Sequence, residues 1–122
     1  MTAVGADNLG VMFDAWHFAR SGGTLAQLEG LPPGLIGAVQ ISDRIAPAPG
    51  TVYAPMSGRL LPGEGELPLG EWLRVLRARQ GRLSAIGVEV FSEELRKLSP
   101  AEVARRVARS TAGLLSATAP TE

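Results

Sequence analysis

Polar side chains lie at the ends of three apolar runs of the sequence, where they could act together. Asp14 and His17 form an Asp-x-x-His motif after the first run, Gln40 and Asp43 form a Gln-x-x-Asp motif after the second, and Glu89 lies near the end of the third. In α/β proteins, ligands bind at the carboxyl ends of neighbouring strands. Two carboxylates and an amide oxygen at such an edge are hard oxygen donors, which suit Mg²⁺, Mn²⁺ or Co²⁺.

Most of these side chains also have an ordinary structural explanation. Asp14 and Asp43 can cap a helix or a turn, because a carboxylate there accepts backbone N–H groups. Gln40 can be a buried amide that the backbone satisfies. His17 is the only histidine and lies between two aromatic residues, so a packed side chain is more common there than a ligand. Taken singly, none of these four residues indicates a function.

Glu89 is the exception, because it lies inside the apolar run 85–91. A buried carboxylate is costly unless a cation or several donors face it, so the sequence predicts a partner for Glu89. Arg59 and Glu64 lie in the segment 44–68, which is rich in proline and glycine and predicts irregular structure. By themselves, both side chains are expected to be solvated. An irregular segment of this length is usually either functional or disordered.

The elements that must position these groups alternate between strand and helix. Short apolar runs of the kind found in parallel sheets predict strands over 9–14, 35–41 and 85–91. Apolar periodicity and capping residues predict helices over 25–29, 69–80 and 100 to about 116. The expected buried stripe of the last helix is Val103, Val107, Thr111 and Leu114. This alternation predicts an α/β fold with a small parallel sheet that is incompletely covered.

Composition excludes several classes of function. The chain has 122 residues, 45% of them hydrophobic, which predicts one domain with a real core. Twelve Lys and Arg balance twelve Asp and Glu, so no net field attracts nucleic acid or anionic lipid. The lack of cysteine excludes disulfides, thiolate zinc sites and cysteine nucleophiles. Neither a signal peptide nor a membrane-spanning run is evident, which predicts a soluble cytoplasmic protein without a membrane partner.

Four motifs in this order resemble the C-terminal third of the sugar phosphate isomerase/epimerase superfamily, which has the xylose-isomerase-like TIM barrel. The Asp-x-x-His motif is similar to the one after barrel strand six, and residues 39–43 are similar to strand seven. Residues 59–65 resemble the substrate-loop arginine followed by Pro-Gly-x-Gly, and residues 88–92 resemble strand eight with its metal-binding glutamate. The resemblance extends from residue 9 to about residue 115.

The resemblance implies a fold, a reaction and a set of site residues. The fold would be a partial TIM (β/α)8 barrel of about three βα units, strands six to eight, with 1–122 as a single C-terminal fragment. The reaction would be divalent-metal-dependent proton transfer on a keto-sugar or related polyol, through an enediolate, with Mn²⁺, Mg²⁺ or Co²⁺. The implied metal ligands are Asp14, Gln40 and Glu89, the substrate contacts are His17, Arg59 and Glu64, and the catalytic residues are His17 and Glu89.

Two departures from the family pattern leave alternatives open. Many members carry histidine where this chain has Gln40, and glutamine resembles the subgroup with dehydratases of keto-cyclitol or dehydroshikimate type. The fourth ligand, a glutamate on strand five, has no counterpart, so the fragment would bind a metal weakly and lack its second catalytic carboxylate.

A further alternative is a catalytically inactive barrel fragment that oligomerises with itself or binds a partner chain supplying the missing strands. Three parallel strands leave two open sheet edges, which favours such an association. The related endonuclease IV fold, which acts on abasic DNA, requires several histidines and is disfavoured by the single histidine and by the balanced charge.

Overall fold

A three-stranded parallel sheet is the centre of this computed structural model, which describes residues 5–6, 8–52, 58–81, 83 and 85–118. A separate antiparallel pair of two-residue strands joins residues 43–44 to residues 59–60. The strands are β1 (Val11–Asp14), β2 (Ile36–Ile41), β3 (Asp43–Arg44), β4 (Arg59–Leu60) and β5 (Ala85–Val88). The helices are α1 (Ala15–Arg20), α2 (Leu25–Glu29), α3 (Leu69–Gln80) and α4 (Pro100–Ala117), with a 3₁₀ turn over Leu95–Lys97.

The sheet order is β1-β2-β5, and both neighbours of β2 run parallel to it. Asp14 pairs in register with Gln40, and Gln40 pairs with Gly87 on the other side. The carboxyl ends of all three strands are therefore level, as the alternation of strands and helices predicts.

One face of the sheet packs against the helices and forms the core. Phe13, Val39 and Ile41 are buried on this face together with Trp72 and Leu76 of α3. The opposite face is open in the described part of the chain: Met12 is 56% exposed. The sheet therefore has one packed face and one face that is open to solvent.

Helix α1 is one of the elements that the sequence pattern did not predict. It begins directly after Asp14, whose Oδ1 accepts the backbone N–H of His17 at 2.9 Å. Asp14 is thus the N-cap of α1, which agrees with its ordinary structural explanation. Because α1 has only six residues, it is too short to show apolar periodicity in the sequence.

The long segment 44–68 was predicted to be irregular, yet it contributes to a strand pair. β3 and β4 pair antiparallel, with Asp43 opposite Leu60 and Arg44 opposite Arg59. The prediction that Glu89 lies inside the strand at 85–91 is wrong, because β5 ends at Val88 and Glu89 is the next residue.

Helix α4 begins where the sequence predicts and packs less deeply than the sequence predicts. Ser99 Oγ accepts the N–H of Glu102 at 3.2 Å, with Pro100 in the first turn. The expectation of a buried stripe is wrong, because Val103, Val107, Thr111 and Leu114 are only half-buried. The physical reason is an apolar groove of about 620 Å³ that Val103 and Val107 line with β5 and the residues after it.

Ion pairs stabilise the start of α4. Hydrogen bonds from Arg105 and then Arg106 lower the pKa of Glu102, and Arg106 also pairs with Glu94 at 3.0 Å.

No helix in the described ranges is long and apolar enough to cross a membrane.

Arg77 joins the last two helices, and we expect its loss to destabilise the fold. Its Nη1 donates to the carbonyl and the hydroxyl oxygen of the buried Thr118, both at 3.1 Å. Arg77→Met leaves these acceptors unpaired, so the free energy of unfolding should fall by about 1–3 kcal/mol in urea denaturation. Arg74→Met, at an exposed position of the same helix, is the matched control. Equal effects of the two substitutions would contradict this assignment.

Candidate functional site

The strand ends bring three oxygen-bearing side chains to one face of the sheet. Asp14 and Gln40 are level in the register, and Gln40 is also level with Gly87. The N–H of Glu89 donates to the carbonyl of Ile41 at 3.2 Å, so Glu89 continues the ladder of β5. Side chains two residues apart in a strand point to the same side, which places Glu89 on the face of Gln40.

Glu89 has the cationic partner that its sequence environment predicts. Arg59 Nη1 lies 2.5 Å from Glu89 Oε2 and 3.2 Å from the carbonyl oxygen of the same residue. The Glu89 side chain is 35% exposed, so it is less buried than predicted, whereas the Arg59 side chain is only 5% exposed. The expectation that Arg59 is solvated is therefore wrong, because β4 places it against the end of β5.

Two aromatic rings enclose the guanidinium of Arg59. Its central carbon lies 4.5 Å from the ring centroid of Trp16 and 5.1 Å from that of Phe91. Arg59 favours such contacts because its guanidinium is planar and weakly hydrated. The Arg59–Glu89 pair is thus shielded from water on the arginine side, unlike an ordinary surface ion pair.

His17 is exposed and lies beside the same guanidinium. Its Nε2 is 3.5 Å from Arg59 Nη2, and its ring is nearly perpendicular to that of Trp16, with a centroid distance of 5.1 Å. Because a guanidinium can only donate, this contact is a hydrogen bond only when Nε2 carries no proton. The structure therefore brings His17, Arg59 and Glu89 together.

Asp43 acts as a structural anchor of the long loop. It is 1% exposed and accepts the N–H groups of Arg44, Gly63 and Leu67 at 2.8, 3.0 and 2.9 Å. A Cβ at Gly65 would collide with Asp43 Oδ1 and the carbonyl of Arg44, so this close approach requires glycine. The closely spaced glycines of the Pro-Gly-x-Gly segment were the one sequence signal of this anchor.

Glu64 is exposed and lines cavities that also include Arg106 of α4. These cavities include none of Asp14, His17 or Gln40. The structure thus brings Glu64 to a cavity that Arg59 also lines but not to the other candidates, and its substrate contact stays a prediction.

The oxygen atoms that remain unpaired in the candidate site determine whether it can hold a metal ion. Among the described residues, no group of three or more His, Cys, Asp or Glu side chains could hold a metal. The candidate set differs from such a group because its third member, Gln40, is an amide. Asp14 uses Oδ1 as a cap and Glu89 uses Oε2 for Arg59, while within the described ranges Oδ2 and Oε1 have no hydrogen-bond partner. Two oriented carboxylates, each with one free oxygen, fit a hard divalent cation.

Parallel βα units with polar groups at the strand ends define a protein of the α/β class, which includes the TIM barrels. A family model described as "Xylose isomerase-like TIM barrel" matches residues 1–113, so the chain belongs to that family. The resemblance drawn from the motifs is confirmed, and with it the expected partial barrel.

Named relatives support the same family. The chain is 32% identical over 109 residues to an inosose isomerase of Halalkalibacterium halodurans and 28% identical over 116 residues to that of Bacillus velezensis. The solved structure of an IOLI protein with a bound zinc atom matches with a TM-score of 0.84 and 25% identity.

The chain is much shorter than these relatives. The matches cover 89%, 95% and 98% of this chain but only 37%, 40% and 42% of the respective relatives. The chain is therefore similar to only part of each of these proteins.

The anchor at Asp43 predicts a stability effect. Asp43→Asn replaces an acceptor oxygen with an amide nitrogen that faces N–H donors, so we expect the free energy of unfolding to fall by about 1–3 kcal/mol. The matched control is Glu66→Gln, an exposed carboxylate of the same loop that accepts the N–H of Ala46. Urea denaturation of both variants measures the difference, and a loss no larger than that of the control would refute the anchoring role.

Proposed function

We propose that this chain carries the metal-binding portion of a sugar isomerase site, acting on an inosose or a related keto-sugar or polyol. The observation that supports the proposal most is the placement of Asp14, Gln40 and Glu89 on one face at level strand ends. The names of the inosose isomerase relatives support the substrate class. The reaction is proton transfer beside a carbonyl, through an enediolate.

In this proposal Asp14, Gln40 and Glu89 hold a divalent ion such as Mn²⁺, Mg²⁺, Co²⁺ or the zinc of the IOLI structure. When bound, the ion would polarise a carbonyl and stabilise negative charge on the neighbouring oxygens. The amide of Gln40 adds a neutral ligand, so the set carries two negative charges. This is one carboxylate fewer than the family's ligand set, and we expect binding to be correspondingly weak.

The chain's own residues supply the proton-transfer groups. Oε1 of Glu89 has no hydrogen-bond partner among the described residues; of its two lone pairs, one would face the ion and the other can accept or return a proton. His17 is exposed and lies beside Arg59, the partner of Glu89, and can bind a substrate hydroxyl. Glu64, which lines a cavity together with Arg59, is the third proposed substrate contact besides His17 and Arg59.

Dehydratase activity on a keto-cyclitol or dehydroshikimate-type substrate is the alternative that Gln40 favours. Both reactions begin with removal of a proton beside a carbonyl, and they differ in whether water is lost afterwards. Proton NMR of inosose in D₂O separates them: deuterium at the carbon beside the carbonyl without loss of water supports the isomerase.

A second candidate function, binding of a partner, is favoured by the open sheet edges. Val11 at the β1 edge is 40% exposed and lines a cavity of about 950 Å³. Phe91 after β5 is 38% exposed and lines the groove of about 620 Å³ beside α4. A polypeptide that carries the remaining βα units, in the same chain or a separate one, or a second copy of the chain, would cover these surfaces.

Size-exclusion chromatography with light scattering tests this second candidate. We expect the purified chain to form a dimer or larger assembly, because burial of exposed apolar edges drives association. Glu substitutions at Val11 and Met12 should shift the assembly toward monomer. A monodisperse wild-type monomer would rule out self-association.

Titration with Mn²⁺ tests the proposed metal site. We expect Asp14→Ala and Glu89→Ala each to weaken binding about tenfold or more, since each removes a charged ligand. Glu71→Gln removes an exposed carboxylate of α3 and serves as the matched control, with affinity within about twofold of the wild type. An affinity indifferent to both alanine substitutions would exclude this ligand assignment.

A further inference from the structure

We propose that Arg59 is a positioning residue of the candidate metal site, which holds the Glu89 carboxylate so that Oε1 alone faces the ion. This inference rests on the proposed function. It gives Arg59 a different role from the substrate contact that the family resemblance implies.

The hold on Glu89 has two points of attachment. Arg59 Nη1 donates to Oε2 of the side chain and also to the backbone carbonyl oxygen of the same residue. A single nitrogen that bridges main chain and side chain limits rotation of the carboxylate relative to the strand end. Hydrogen-bond partners that orient a metal ligand in this way commonly change metal affinity by about 10–100-fold.

The guanidinium is itself held in place. Trp16 and Phe91 lie against its π surface, and the side chain is 5% exposed. Trp16 is 4% exposed, so it is fixed in the structure. A rigid donor orients its acceptor more strictly than a mobile surface arginine would.

Little of Arg59 is left for a substrate. Nη1 is engaged by Glu89, and Nε is buried without a hydrogen-bond partner among the described residues. Nη2 lies 3.5 Å from His17 Nε2, which faces one of its two N–H groups, so at most the other N–H remains for a substrate oxygen. Arg59 therefore acts on the site through Glu89 and His17.

Metal affinity in the absence of substrate separates the two roles. A residue that only contacts substrate does not change this affinity, whereas a residue that orients Glu89 does. Arg59→Lys keeps the positive charge. It loses the planar guanidinium, and with it the paired hydrogen bonds to Glu89 and the stacking on Trp16 and Phe91. We expect Mn²⁺ to bind Arg59→Lys about tenfold more weakly than the wild type in calorimetric titration.

Arg44→Lys is the matched control, because Arg44 pairs with Arg59 across the β3–β4 ladder. We expect its Mn²⁺ affinity to stay within about twofold of the wild type, since it does not contact Glu89. The visible absorption of bound Co²⁺ is a second readout, because its bands follow the ligand geometry. We expect these bands to shift in Arg59→Lys and to remain unchanged in Arg44→Lys.

The outcomes decide between the proposals. If wild-type affinity depends on Asp14 and Glu89 but Arg59→Lys binds within twofold of the wild type or tighter, the positioning role is wrong and the metal site stands. If affinity is indifferent to Asp14 and Glu89, the metal site itself fails.

Should Arg59→Lys lose its native near-ultraviolet circular dichroism, Arg59→Ala with millimolar ethylguanidinium replaces it. Return of Mn²⁺ affinity on adding the guanidinium supports the positioning role, and no return overturns it.

Discussion

The shielded ion pair between Arg59 and Glu89 is the interaction on which the candidate site depends. It connects three parts of the chain that are distant in sequence: α1 through Trp16 and His17, the β3–β4 pair through Arg59, and the end of β5 through Glu89. A charge so enclosed is costly unless it is paired, which makes the pair a strict constraint on how these elements meet. Asp43 supports the arrangement by fixing the loop that follows β4.

The sequence predicts those elements whose signals are local. Helix α3 has leucine and tryptophan at helical spacing, and the observed bounds Leu69–Gln80 match the prediction. The start of α4 is predictable because Ser99 and Pro100 form a capping signal that needs no tertiary contact. The sequence also predicts that Glu89 has a cationic partner, since a carboxylate in an apolar run needs a cation, but it does not show which residue this is.

The remaining features depend on contacts between distant residues. Arg59 lies thirty positions from Glu89 and would be solvated in isolation, so only the folded chain shows its enclosure. The loop anchor at Asp43 depends on backbone donors at Gly63 and Leu67, about twenty positions away. Helix α4 carries an amphipathic stripe that predicts burial, but Val103 and Val107 of this stripe line a groove and are only half-buried. The sequence pattern of α4 therefore predicts more burial than the structure has.

Diffraction from crystals soaked in Zn²⁺, measured at the zinc absorption edge, shows directly which residues hold the ion. We expect one anomalous peak about 2.0–2.2 Å from oxygens of Asp14 and Glu89, with Gln40 beside it and Arg59 still bound to Glu89 Oε2. A peak bound elsewhere, or zinc coordinated through Oε2 with Arg59 displaced, would contradict this expectation.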